Sequence, residues 1–352
     1  MKVCYILPSL AQKGPNIVAA EIITSAIRRE LFDSIEVFYF KDVDCDKISL
    51  TVKTTKISFF SSCDLSSFDI IHSHMFIPDI FVFRYKLLNI FNNTPKCITT
   101  LHQKDVVNLR YDYDSIFKAY VVSFCWRIGL SMHDEVVCLS KAMKSFYQKR
   151  LINKRISYIY NGRNFKNSSS LHPVISSQKS TSKFKIGTAC LLTKRKGLEQ
   201  VIRTLFKLPH VHFYIAGSGP EHDSLIQLAK DELVFDRVHF SGFISDVSQF
   251  MMELDAFILP SRGEGFPLAL LEAASIRLPC ICSRIDITVE VFSEQEVSFF
   301  DLDNLESLEF AISHCEKNLI HYSKCLYDKY QVELTVDKMV DSYALTYANL
   351  IE

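Results

Sequence analysis

Short apolar runs of strand type alternate with longer helical stretches along this chain, and the alternation begins twice. The first series has strand-like runs at 3–7, 34–40, 70–72, 97–101 and 135–139, with helical segments such as 17–31 and 140–150 between them. The second has runs at 185–189, 211–216, 238–240, 256–259 and 280–282, with helical stretches at 197–206, 221–233 and 267–276. Between the series, the turn dipeptide Asn161-Gly162 opens a polar, Ser/Lys-rich stretch that lasts to Ser182. Such alternation implies a parallel sheet with helices on both faces. The expected fold is therefore α/β: two doubly wound, Rossmann-like domains, residues 1–163 and 164–335, facing across a cleft. Ligands are expected in that cleft, at the carboxyl ends of the strands. A last helix, about 336–352, has Met339, Val340, Tyr343 and Tyr347 at helical spacing. Its expected job is packing, back on the first domain.

Composition supports two cores and narrows the class. The chain has 352 residues, 48% of them apolar, enough for two ordinary domains. Net charge is zero, which argues against a general nucleic-acid binder. The charge is unevenly spread: residues 1–160 carry 21 Lys+Arg against 15 Asp+Glu, the remainder 19 against 25. A basic first half favours an anionic surface or acceptor. The 11 cysteines are an odd number without metal-ligand spacing, so reduced thiols and a cytoplasmic setting are expected. MKVCYILPSL reads as a first strand rather than a signal peptide. DIFVFRYKLLNIF is interrupted by Arg84 and Lys86 and is too short to span a bilayer. A soluble chain, able to rest on the inner face of a membrane, is the expectation.

The stretch SRGEGFPLALLEAAS (261–275) concentrates the chemistry. It follows an apolar strand-type run, breaks at Gly263 and Gly265, and starts a helix for which Pro267 suits the first position. Glu272 stands in that helix among Leu268, Ala269 and Ile276, where a lone carboxylate needs a partner. Glu264 lies just before the helix start. Two readings follow. Glu264 complements the helix dipole and Glu272 is a satisfied core acid. Alternatively, the acids take hydroxyls of a polyhydroxylated ligand whose phosphate meets the helix N-terminus. A different signal, Gly217-x-Gly219 after a strand, has His222 where the dinucleotide fingerprint needs its third Gly, so NAD binding is set aside.

The chain resembles the retaining glycosyltransferases of family 4, which have the two-domain GT-B fold. The most specific match is Ser261-Arg-Gly-Glu264-Gly-Phe-Pro267-Leu-Ala-Leu-Leu-Glu272-Ala, similar to the family's E-x7-E element. Others are the opening loop with Gly14, Asp69-Ile-Ile-His72, Thr100-Leu101-His102, Ser140-Lys141 and Tyr160-Asn161-Gly162. Arg195-Lys196-Gly197, Ala216-Gly-Ser-Gly219-Pro220 and Phe240-Ser-Gly242-Phe243-Ile244 match in the second half. The resemblance implies that Glu264 contacts donor-sugar hydroxyls and that Glu272 binds the nucleotide ribose. Amides around Gly265 and Phe266 face the sugar and diphosphate, Lys196 holds the diphosphate, and backbone near Phe243 and Ile244 meets the base. Gly14, Arg195, Gly217, Gly219, Pro267 and Leu268 complete the implied donor-binding set. His102, at a strand's carboxyl end, is implied near the reacting sugar; His72 and His74 are weaker candidates. Glu264, His102 and Lys196 make up the implied catalytic set.

By resemblance the reaction retains anomeric configuration, uses no metal, cofactor or protein nucleophile, and lets the leaving diphosphate help deprotonate the acceptor. The donor is a nucleotide diphosphate sugar, UDP-linked in preference to GDP-linked. The implied acceptor is a glycan, lipid-linked, in surface-polysaccharide synthesis. Asp301-x-Asp303 reads as a turn, not a metal motif. Three positions depart from the family pattern: Cys190 replaces a basic residue, Arg277-Leu278-Pro279 stands where the helix usually ends at Gly, and Arg284-Ile-Asp-Ile-Thr288 replaces a Gly-rich turn before Glu290. Cys190 and Arg277 motivate a rival reading, a non-catalytic nucleotide-sugar-binding partner of a transferase. A sugar-nucleotide epimerase on the same architecture is a third.

Overall fold

The computed structural model describes residues 1–43, 47–106, 115–153, 155–164 and 183–352. The Ser/Lys-rich stretch expected between the domains falls mostly outside them. The chain divides into two compact units, Met1–Gly162 with Thr335–Glu352, and Arg163–Leu334.

The first unit holds a seven-stranded sheet: β1 (Lys2–Ser9), β2 (Ser34–Lys41), β3 (Lys53–Lys56), β4 (Ile70–His74), β5 (Lys96–Leu101), β6 (Glu135–Cys138) and β7 (Ile156–Tyr158), in the order β3-β2-β1-β4-β5-β6-β7. Every pairing is parallel. The interior strands are buried on both faces, as a sheet sandwiched by helices requires. Helices α1 (Gly14–Arg28), α2 (Phe76–Leu88), α3 (Ile116–Leu130) and α4 (Lys141–Gln148) link them. β4 runs two residues further than the sequence predicts, so His74 is a strand residue as His72 is. β3, α2 and α3 were not singled out by periodicity. β3 is short and polar, and α2 and α3 are apolar on most sides, which hides a helical stripe.

The second unit holds β8 (Phe184–Ala189), β9 (Val211–Ala216), β10 (Val238–Gly242), β11 (Ala256–Leu259), β12 (Cys280–Ser283) and β13 (Ser298–Phe300), ordered β10-β9-β8-β11-β12-β13 and again all parallel. Its helices are α5 (Leu198–Thr204), α6 (His222–Asp231), α7 (Val247–Met252), α8 (Leu268–Ser275), α9 (Asp286–Val291), α10 (Leu305–Lys317) and α11 (Leu319–Glu333). The core joins Phe213, Ile215, Ile258, Ile281 and Phe300 of the sheet to Val201, Leu225 and Ile312 of the helices.

The chain then rejoins the first unit as α12 (Val336–Ile351). Arg28, the last residue of α1, and Arg29, its cap, pair with Asp337 and Asp341 of α12. Its inner face does more than pack. Tyr347 Oη bonds Tyr5 Oη at 2.9 Å and His72 Nδ1 at 2.6 Å, and Tyr343 Oη bonds Thr100 Oγ1 at 2.9 Å.

Candidate functional site

In a parallel sheet all carboxyl ends lie at one end, and a crevice opens where the strand order reverses. In the second unit the reversal lies between β8 and β11. The loop after β8 carries Arg195 and Lys196; the loop after β11 carries Glu264.

Local geometry ties these loops together. A 3-10 turn at Lys194–Lys196 ends at Gly197, whose φ is +64°. A Cβ there would lie 2.2 Å from the Pro260 carbonyl oxygen, so no other residue fits. Gly197 is thus a left-handed stop before α5 rather than part of one helix over 197–206. Gln200 Nε2 donates to the carbonyls of Gly197 and Pro260, both at 3.2 Å. Arg262 N donates to Arg195 O at 2.8 Å, and Arg195 Nη1 to Gly263 O at 3.2 Å.

This frame brings Glu264 and Lys196 together. Lys196 Nζ lies 2.6 Å from Glu264 Oε1, Ser261 Oγ donates to the same oxygen at 2.7 Å, and Arg195 Nη1 is 3.9 Å from Oε2. The Glu264 side chain is only 8% exposed. Burial alone would push its carboxyl up, but Lys196, Arg195 and Ser261 outweigh it and hold the group below the ordinary carboxylate range. Glu264 is therefore an ionised acceptor at neutral pH. Cys190, just past β8, brings no compensating charge: burial raises its thiol to about 11. Arg195 and Lys196 are the cations of this loop that reach Glu264.

Glu272 is also partnered within the protein. Arg163 Nε donates to Glu272 Oε1 at 2.7 Å. Burial still raises the Glu272 carboxyl, with Arg163 opposing the shift. Of the two sequence-based expectations, a satisfied core acid and an acceptor of ligand hydroxyls, the first did not name this partner. The signal available was position, since Arg163 directly follows Tyr160-Asn161-Gly162. Pro267 is the cap residue of α8 rather than its first residue. Leu268 begins the helix, and Gly265 and Phe266 are buried in the turn before it.

The glycines of Gly217-x-Gly219 serve a close approach of loops. A Cβ at Gly217 would lie 1.9 Å from Cys190 O, and one at Gly219 2.4 Å from Leu192 O. Gly217 N donates to Gly242 O at 2.6 Å, linking this loop to the one carrying Phe243 and Ile244. Phe243 is 69% exposed, an aromatic face open for stacking. Arg195, Lys196, Gly217, Gly219, Phe243, Ile244, Glu264 to Leu268 and Glu272 thus share the carboxyl end of one sheet.

Two departures have local explanations. Arg277 adopts φ +63°, a conformation that favours Gly, as α8 ends. Its guanidinium lies 4.0 Å from the centroid of the Tyr327 ring, and its carbonyl accepts from Ser323 Oγ at 2.7 Å. Thr288 Oγ1 accepts from Ile285 N at 3.1 Å and donates to Ser283 O at 2.7 Å, building a turn without glycine.

Gly14 and His102 belong to the first unit. Gly14 opens α1 after β1, and His102 follows β5. His102 Nε2 lies 2.9 Å from His74 Nδ1. His72 is a core residue: its two ring nitrogens are taken by Tyr347 and Thr100, the latter at 2.8 Å. Among the described residues, no group of three or more His, Cys, Asp or Glu could hold a metal ion. Asp301 and Asp303 are engaged by Arg284 and Arg262. The ten described cysteines are free thiols. A cavity of about 370 Å³, lined by Glu294, Phe310, His314 and Tyr322 among others, contains none of the candidate residues.

Comparison with known proteins now adds to this geometry. Residues 175–329 match the model for glycosyl transferases group 1, and residues 57–166 that for Glycosyltransferase Family 4. The chain is 33% identical to the O-antigen biosynthesis glycosyltransferase WclY of Escherichia coli, over 99% of each chain. Among solved structures, Anabaena HepE in complex with UDP aligns with a TM-score of 0.79 at 16% identity, covering 99% of this chain and 100% of its own. Sucrose-phosphate synthase of Thermosynechococcus elongatus aligns at 0.78 and 16%, covering 99% and 98%. The two α/β units have the GT-B fold.

Proposed function

The chain belongs to glycosyltransferase family 4, and from that premise we propose that it transfers a hexose or N-acetylhexosamine, with retention, from a nucleotide diphosphate sugar to a lipid-linked glycan acceptor. The observation that carries the proposal is the buried, ionised Glu264 held against Lys196 where the strand order reverses. An ionised carboxylate accepts sugar hydroxyls, and an ammonium beside it offsets charge growing on a leaving diphosphate. In this reading the donor's phosphates draw Lys196 and Arg195, and its hydroxyls take over part of Glu264's hydrogen bonding. Glu272 and Arg163 receive the ribose, and Phe243 with Ile244 meets the base. No cofactor or metal takes part. The leaving diphosphate assists deprotonation of the acceptor, and the first unit binds that acceptor. A UDP-sugar is the preferred donor, in keeping with HepE, whose structure holds UDP. A part of this chain is 31% identical to a galactosyltransferase of Escherichia coli named for a diphosphoundecaprenol acceptor, which supports the lipid-linked class.

Such an acceptor brings the chain to the inner face of a membrane. In α3, Ala119, Ser123, Trp126, Gly129 and Leu130 are buried. Ile116, Phe117, Tyr120, Val121, Phe124 and Ile128 are exposed. No acidic residue lies in α3. This apolar face, on the net-basic half of the chain, suits a lipid surface carrying anionic headgroups.

The test is nucleotide release from UDP-, GDP- and ADP-sugars by wild type, Glu264→Ala and Lys196→Ala. Release from one donor, lost in both variants, supports the proposal. Donor bound by calorimetry but never turned over, with a lipid-linked glycan present, overturns it in favour of a binding partner.

A further inference from the structure

His74 and His102 share one hydrogen bond, His74 Nδ1 to His102 Nε2 at 2.9 Å, with their rings stacked at a centroid distance of 5.1 Å. Burial keeps both imidazoles neutral: it lowers His102 to about 3 and His74 well below the ordinary histidine range. A neutral imidazole carries one N–H and one bare nitrogen, so only one of the pair can donate in this bond. The other nitrogen of His74 decides which. His74 is fully buried, and its Nε2 has no hydrogen-bond partner among the described residues. His72, 4.3 Å away between ring centroids, offers it nothing, because both of its nitrogens are engaged elsewhere.

Two arrangements exist. If His102 donated, His74 would carry its proton on Nε2, a buried N–H without an acceptor. If His74 donates, Nε2 is a bare lone pair. Orphaned buried N–H groups are rarer than under-satisfied acceptors, and each costs the desolvation of a donor. We infer that His74 is a positioning residue: it donates from Nδ1 to His102 Nε2 and so fixes His102 in the tautomer that carries its proton on Nδ1. Among the described residues that nitrogen makes no hydrogen bond, and it is not one of their sealed, unpartnered atoms. His102 therefore presents an N–H donor to a ligand oxygen and offers no base there. The inference deepens the proposed function and rests on the family resemblance, which implies that His102 lies near the reacting sugar.

The experiment is nitrogen-15 NMR of imidazole-labelled full-length protein, with kinetics on the same samples. Wild-type His102 is expected as the Nδ1–H tautomer. In His74→Asn the side-chain amide can still donate to His102 Nε2, so tautomer and turnover are retained. In His74→Phe the tautomer is lost, and kcat falls roughly tenfold with little change in KM, the size of one lost neutral hydrogen bond. An Nε2–H tautomer in the wild type overturns the inference, and so does an unchanged His102 spectrum in His74→Phe. If the tautomer behaves as expected while His102→Phe turns over normally, the inference stands and the implied place of His102 near the reacting sugar fails. The wild-type spectrum decides the tautomer even if the Phe variant does not fold.

Discussion

The two units differ in how they bury most of the polar side chains near their strand ends. In the second, two carboxylates are matched by cations: Glu264 by Lys196 and Arg195, Glu272 by Arg163. In the first, Asp105 is matched by Arg127, but Tyr5, His72, Thr100, Tyr343 and Tyr347 form a neutral mesh of hydroxyls and an imidazole, with the His74–His102 pair stacked beside it. Charge held by counter-charge at the mouth of a sheet can be exchanged for a charged ligand, since a phosphate can replace a carboxylate at Lys196. A neutral mesh has little to exchange. It fixes orientation, and α12 supplies two of its hydroxyls. The difference separates a region held by charge pairs from one held by neutral hydrogen bonds.

Acid should break that comparison most strongly. His72, His74, His102 and His133 all have lowered folded pKa values, mainly from burial, the last two to about 3 and about 4. The unfolded chain binds protons on these groups below about pH 6.5, so stability drains away as pH falls from there. Asp79, raised to about 7 by burial, works in the other direction, but it is one group against four. Glu264 has a depressed pKa, so its contribution is lost only below the ordinary carboxylate range. The first unit should therefore open first between pH 6.5 and 4.5. Trp126, the only tryptophan, lies in that unit with Nε1 bonded to Asp79 at 2.6 Å. Its fluorescence should change before the bulk of the far-ultraviolet dichroism. Simultaneous loss of both signals would mean that the two polar regions do not differ in this way.

Next in size is Lys196→Ala, which leaves Glu264 buried with Arg195 as its one remaining cation. A loss of about 3 kcal/mol in denaturant unfolding is expected. Lys196→Ala/Glu264→Ala should recover part of it; a double variant no more stable than the single would show that counter-charge is not what holds Glu264. Tyr347→Phe should cost about 1–3 kcal/mol, because Tyr5 Oη and His72 Nδ1 lose a shared partner. A neutral result in urea titration would mean that α12 is held by apolar packing alone. The smallest effect belongs to Arg277→Gly. Relief of the left-handed backbone, about 1 kcal/mol, is offset by loss of the contact with Tyr327, about 0.5–1 kcal/mol. Thermal unfolding should barely move.

Much of the fold was legible because strand and helix are local matters. The apolar runs ending at Leu7, Leu101, Leu139, Ala216 and Leu259 all end within two residues of observed strand ends, and parallel topology follows from their alternation with helices. The short polar β3 and the apolar α3 escaped, since neither shows a period. In the site, Ser261 to Glu272 could be singled out because two acids in an apolar segment need partners wherever that segment lies. Which partners they find is not a local matter.

Sequence alone determined the two parallel-sheet units, and it determined that Lys196, Glu264 and Glu272 follow strands whose carboxyl ends lie together. Tertiary structure alone decided that Arg163, 109 positions away, meets Glu272, that Tyr347, 275 positions away, meets His72, and that His74 meets His102. The physical reason is one of range. Backbone propensity and apolar periodicity act within a few residues, while the partner of a buried polar group is whichever donor or acceptor the completed sheet brings within about 3 Å.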